Sequence, residues 1–388
     1  MMSKFFNRRM MMAGSAAMLL AGCQIVPKTG PDTSGPATGP TPEPSATALP
    51  TDDTRHRVAL LVPMSGSNGA VGQSIANAAT MAVLDTNADN LRITTYDTAA
   101  GAKNAAAKAV ADGNKLILGP LLADNVPAVL AAARPANVPI ISFSNDTSIA
   151  GDGVYLIGHM PEQSITRTVA YARGKGARSF AVLAPEGDYG QRSISALNNA
   201  LRSYGGSLVQ SERYARGNTS IVSAAQRVKD RGGYDTVLVA EGARLAIQAA
   251  GELKSGSGAE TLLLGTELWS GESAITRASS LRGALFSAVS DARYKRYSDS
   301  YRNRFGAAPY RVSTLGYDAV LLTLRIARDW KVGRNFPTSK LRDEGGFLGL
   351  DGAFRFGRDG IVERAMEVRE VRGNDVVVVD AAPTRFAD

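Results

Sequence analysis

The sequence predicts an α/β fold of two lobes, each a mostly parallel sheet flanked by helices, with a ligand cleft between the lobes. Three observations carry this expectation. Continuous apolar runs of buried-strand length alternate with Ala-rich stretches whose apolar residues keep helical spacing. That alternation favours parallel strands covered by helices on both faces. Eight such runs occur, at 57–63, 91–96, 115–118, 138–142, 179–183, 208–214, 236–240 and 261–264, which would make one sheet unusually wide. The chain is therefore divided after about residue 159.

At the amino terminus, Lys4, Arg8 and Arg9 precede a small apolar stretch over 13–21, too short for the ~20 apolar residues that span a bilayer. The order Leu20-Ala21-Gly22-Cys23 resembles a bacterial lipobox, which implies a signal peptide over 1–22 and a lipid on Cys23. The alternative is a plain secretory peptide with an incidental cysteine. Cys23 is the only cysteine in 388 residues, so no disulfide or thiol nucleophile is available elsewhere. Arg8-Arg9 also raises twin-arginine export, ranked behind ordinary secretion because the residues that follow fit it poorly. Gln24 after the cysteine resembles an outer-membrane rather than an inner-membrane address. Residues 23–56 read as a tether, because their Pro, Thr, Gly, Ser and Ala cannot bury enough surface to offset ordering entropy.

The body from Arg57 onward has room for two lobes of ordinary domain size. The first is expected over 57–158 plus 289–345, and the second over 159–288 plus 346–382. Helices are expected at 70–84, 294–305 and 312–330, a hairpin with Asp-Gly turns at 349–360, and a last strand at 376–379. Net charge is +8 for the whole chain, of which three cations lie in the signal region. The remaining Lys and Arg are interspersed with acids, which argues for a solvated surface and against nucleic-acid binding.

Several strings resemble a known family. Val58-Ala59-Leu60-Leu61-Val62-Pro63-Met64-Ser65-Gly66 looks like the opening strand and loop of type I periplasmic-binding folds, which include branched-chain amino-acid receptors. Gly119-Pro120-Leu121-Leu122, followed by Asn125-Val126, is similar to a segment of the lipoprotein activators of penicillin-binding proteins, whose carboxy-terminal module has this fold. The stretches 138–144, 182–190 and 264–267 match the wider superfamily in order and spacing. In some activators a helical-repeat domain precedes this module; ahead of Arg57 this sequence has the short tether instead.

The candidate ligand residues are Ser65, Gly66, Ser142, Ser144, Tyr189, Glu241, Glu267 and Trp269. The Gly-rich loop at 65–69 precedes a helix amino terminus that can accept an anion. Ser142 and Ser144 lie one pleat apart at a strand end, so their hydroxyls can share a side. The resemblance implies that this loop meets an amino acid's carboxylate and ammonium groups, and that Glu267 pairs with the ammonium. Tyr189 and Trp269 are then apolar walls, and Glu241 lies just beyond a strand. Each has a structural alternative: a tight turn for Ser65 and Gly66, helix capping for the serines and Glu267, and packing for the aromatics.

Only His56 and His159 are present, and a serine-hydrolase elbow, a phosphate loop and a full dinucleotide fingerprint are missing, so no enzyme, metal or cofactor is expected. The resemblance implies a regulator that binds a class A penicillin-binding protein at the periplasmic side of the outer membrane. The alternative is a lipid-anchored receptor delivering an amino acid to an ABC permease.

Overall fold

A computed structural model describes residues 52–216, 220–383 and 386; Cys23 and the tether up to residue 51 lie outside the described residues. The chain runs β1 (His56–Val62), α1 (Gly69–Asp85), β2 (Leu91–Asp97), α2 (Ala102–Ala111), β3 (Leu116–Leu118), α3 (Val126–Ala133), β4 (Ile140–Ser142) and β5 (Val154–Leu156). These five strands form one all-parallel sheet in the order β2-β1-β3-β4-β5. β1, β3 and β4 are covered on both faces, which is why they read as unbroken apolar runs. Val58, Leu60, Ile117 and Ile140 are fully buried, each contributing about 1.5–3 kcal/mol by leaving water.

The chain then crosses to α4 (Pro161–Gly174), β6 (Ser179–Pro185), α5 (Asp188–Tyr204), β7 (Ser207–Tyr214), α6 (Ser220–Arg231), β8 (Thr236–Val239), α7 (Ala243–Leu253), β9 (Leu262–Leu264), α8 (Ala274–Arg277) and β10 (Leu285–Val289). It continues through α9 (Tyr294–Phe305), α10 (Thr314–Ala327), β11 (Phe347–Gly349), β12 (Gly352–Phe356) and β13 (Val362–Arg364), and ends with β14 (Met366–Arg372) and β15 (Asp375–Asp380). The second sheet has the order β15-β14-β10-β9-β8-β6-β7, with β14 and β15 antiparallel and the rest parallel.

Two expectations are corrected. His56, placed at the end of the tether, is buried and opens β1, stacked on Trp330 with ring centroids 4.1 Å apart. The segment from 346 was assigned to the second lobe, but β11, β12 and β13 make a small antiparallel sheet whose Phe347, Phe354, Phe356 and Val362 join the core of the first. The chain returns to the second sheet only after Arg364, because those four side chains bury against α10 and the first sheet.

Both sheets use the same strand-to-helix packing. A Cβ on Gly72 of α1 would lie 1.7 Å from the Pro63 carbonyl oxygen, and one on Gly190 of α5 would lie 1.8 Å from that of Pro185. Glycine lets each helix press onto the carboxyl end of its strand. Gly72→Ala and Gly190→Ala are each expected to destabilise the body by about 1–3 kcal/mol through overpacking, read as a lower midpoint in urea denaturation; a midpoint unchanged in both would refute the contact.

Candidate functional site

The carboxyl ends of β3, β4 and β9 open onto one cleft of about 530 Å³ between the sheets. In open α/β sheets this is where ligands sit. The first lobe supplies Leu121, Leu122, Phe143, Ser144, Asn145 and Asp146, joined by the loop from Tyr310 to Leu315; the second supplies Glu267, Leu268, Ser270 and Glu272. On one side Arg192 of α5 grips Glu162 through two bonds of 2.7 and 2.8 Å and donates to the Asn145 carbonyl across the lobes.

Beneath the cleft lies a buried charge network. Asp351, in the turn between β11 and β12, is completely buried and accepts bonds from Arg311 at 2.7 Å and Thr314 at 2.8 Å, and pairs with His159 Nε2 at 2.8 Å. Burial alone would raise its carboxyl, but Arg311, His159 and Arg364 outweigh burial and hold it well below the usual carboxylate range. Burial pushes the His159 imidazole down, against the pull of Asp351. Arg364 and Asp318, both without exposed side-chain surface, lie 3.7 Å apart, and burial with the nearby Asp351 charge pushes Asp318 up to about 7. Arg311 also meets Asp291 at 3.3 Å, and Asp291 pairs in turn with Arg369 of β14.

The structure brings only some of the expected ligand residues to the cleft. Ser144 and Glu267 line it. Ser142 is fully buried; its hydroxyl donates to the Pro120 carbonyl at 2.9 Å and accepts from the Ser144 N–H, while the Ser144 oxygen accepts from the Asp146 N–H at 3.1 Å. Both hydroxyls thus shape their own loop. Ser65 and Gly66 form an exposed turn outside the lining residues, with Gly66 at φ 71° and the Ser65 hydroxyl 3.5 Å from Asp97. Trp269 is a core side chain packed on Gly265 and Phe286, its indole donating to the Glu241 carbonyl at 2.9 Å. Glu241 is tied to Tyr214 at 2.6 Å and Arg216 at 2.9 Å.

Tyr189 donates to Glu267 Oε1 at 3.2 Å and meets the Thr266 hydroxyl at 2.9 Å. The other oxygen, Oε2, is buried without a hydrogen-bond partner. Burial pushes the Glu267 carboxyl up to about 8, only partly offset by its hydrogen bonds. The raised pKa favours the protonated form of Glu267 at neutral pH, and its unpartnered oxygen is a hydrogen-bonding group that the surrounding protein leaves unused. Arg311, His159, Asp146, Leu268 and Glu272 had no local signal in the sequence. Among the described residues no cluster of three metal-ligating side chains occurs.

This architecture, two parallel-sheet lobes facing across a cleft, defines a binding protein, and over residues 56–375 the chain belongs to the periplasmic binding protein family. It is 31% identical over 150 residues to the penicillin-binding protein activator LpoA of Mannheimia succiniciproducens, covering 37% of this chain and 25% of that protein. It is 28% identical over 175 residues to an uncharacterised protein of Rickettsia prowazekii, covering 45% of this chain and 47% of that protein. The matches therefore span less than half the length of these curated relatives. Among solved structures, a putative branched-chain amino acid ABC transporter protein of Rhodospirillum rubrum superposes with a TM-score of 0.72 at 20% identity, covering 84% of this chain and all of that one. The leucine-binding protein LivK of Thermotoga maritima gives 0.62 at 18% identity, covering 84% and 98%. At these identities the superpositions establish the fold.

Two outcomes test the site. Asp351→Asn removes the shorter of the two ion pairs of Arg311, leaving it only the 3.3 Å contact to Asp291, and is expected to cost about 3–5 kcal/mol, measured by urea denaturation. Glu267 keeps its proton in the folded state up to about pH 8 but releases it near its ordinary 4.5 when unfolded. Its stabilising contribution is therefore complete below that lower value and is lost as pH rises through 8. Calorimetry should find the melting temperature of Glu267→Gln rising relative to wild type across that window; a constant difference would show that Glu267 is ionised throughout.

Proposed function

We propose that this chain is a lipid-anchored, non-catalytic regulator that binds a class A penicillin-binding protein and stimulates its peptidoglycan synthesis. The sequence likeness to two LpoA activators carries this reading, at 31% and 28% identity. The geometry supports it. The Gly119–Ala123 segment, similar to the activators, ends at the cleft mouth with Leu122 exposed, while the Ser142 hydroxyl, expected to help seat an amino acid's carboxylate, is buried and donates to the Pro120 carbonyl of the neighbouring loop. Cys23 carries the lipid in this reading, and the tether holds the body on the periplasmic side of the outer membrane.

A second reading, a receptor that hands an amino acid or related amine to an ABC permease, is favoured by one observation: Glu267 lines a roomy cleft while one of its carboxyl oxygens is buried without a partner. The two part experimentally. The lipoprotein should bind a purified class A synthase from its own organism and accelerate glycan polymerisation, and Cys23→Ala should release it from membranes into the soluble fraction. Absence of binding, together with a rise in melting temperature with an amino acid, worth about 2.7 kcal/mol at 100 times its Kd, would replace the regulator with the receptor.

A further inference from the structure

Nine large apolar side chains are well exposed among the described residues, and three of them, Leu122, Leu268 and Tyr310, line the same cleft. Single exposed apolar residues need no explanation, but a cluster on a concave surface marks a contact. Leu122 is 39% exposed and Tyr310 49% exposed on the first lobe, facing Leu268 at 37% on the second. The rim they form continues inward over Phe143 and Leu315.

The charge around that rim is one-sided. Among the described residues the Asp146 carboxylate bonds to the N–H and hydroxyl of Ser148 and to no cation, and exposed Glu272 has no ion-pair partner. The arginines of the neighbourhood are already paired: Arg311, which lines the cleft, with Asp351 and Asp291, and Arg192, which holds the Asn145 carbonyl, with Glu162; the His159 imidazole is bonded to Asp351. The mouth is thus apolar with an uncompensated negative charge. It favours an occupant that sets an apolar side chain beside a basic one. A ligand small enough to rest against Glu267 leaves the rim in water, whereas a polypeptide laid across the mouth covers it.

We infer that the synthase docks across the cleft mouth, inserting a segment that pairs apolar and basic side chains and so touches both lobes at once. This rests on the activator reading. The test is the affinity of the full-length lipoprotein in detergent for the purified synthase, by surface plasmon resonance, with melting temperature as the folding control. The L122S/L268S/Y310S variant alters only exposed side chains and should weaken binding at least roughly tenfold, in keeping with central apolar anchors. Glu272→Lys should weaken it too, with a deficit that shrinks as salt screens the charge. If wild type binds and the triple variant binds equally well, or Glu272→Lys binds as wild type at low salt, the inference is wrong and the activator reading survives. If wild type does not bind, the activator reading itself falls.

Discussion

The charge network beneath the cleft is built around one buried carboxylate. Taking an ionised acid out of water costs several kcal/mol, and the cost is recovered only when charged donors with good geometry surround it. Asp351 meets that requirement with a guanidinium, a hydroxyl and an imidazole drawn from three separate places: Arg311 ahead of α10, Thr314 within it, and His159 at the first crossing between lobes. Losing any of the three weakens the compensation of a carboxylate held out of water. The alternation continues outward, from Arg311 to Asp291, Arg369 and Glu367, so that an unbroken line of ion pairs runs under the cleft from the first lobe into β14 of the second sheet.

That line determines the chemistry above it. Because the cations below the cleft are spent on Asp351 and Asp291, little positive charge is left to greet an anionic ligand, and the Ser142 hydroxyl of the β4 loop is spent on the Pro120 carbonyl. Glu267 responds to the same surroundings: sheltered from water and without a cation close enough to offset burial, it holds its proton. The cleft floor is therefore neutral near pH 7 and becomes a carboxylate only when a cation or rising pH draws the proton away. What such a cleft accepts is set by side chains that the fold does not dictate.

The parallel strands were legible because burial on both faces removes polar residues: β1, β6 and β8 stand out as apolar runs. β10 and β14 did not. β14 reads Met-Glu-Val-Arg-Glu-Val-Arg, a pattern suited to a solvated surface, yet Glu367 and Arg369 are buried in it because they neutralise one another and Asp291. The two Asp-Gly pairs near the late hairpin show the same limit more sharply. Asp359 does what a turn aspartate does and caps the Ile361 N–H at 3.0 Å, whereas Asp351 anchors the charge network. Their local sequences are alike, and only partners 40 and 192 positions away, Arg311 and His159, separate their roles. Glu267 was found through resemblance; its neighbours Asp146, Leu268 and Glu272 reach the cleft by loop geometry that no periodicity encodes.

Contacts spanning the lobes constrain how an occupant can act. Arg192 holds the Asn145 carbonyl from the opposite lobe while gripping Glu162, and the charge line ties the sheets below. An occupant changes the relation between the lobes only to the extent that it binds one arrangement better than another. One that touched a single lobe would leave those contacts as they are. Leu122 and Tyr310 on one side and Leu268 on the other place exposed apolar surface on both lobes, within reach of an occupant of the cleft mouth.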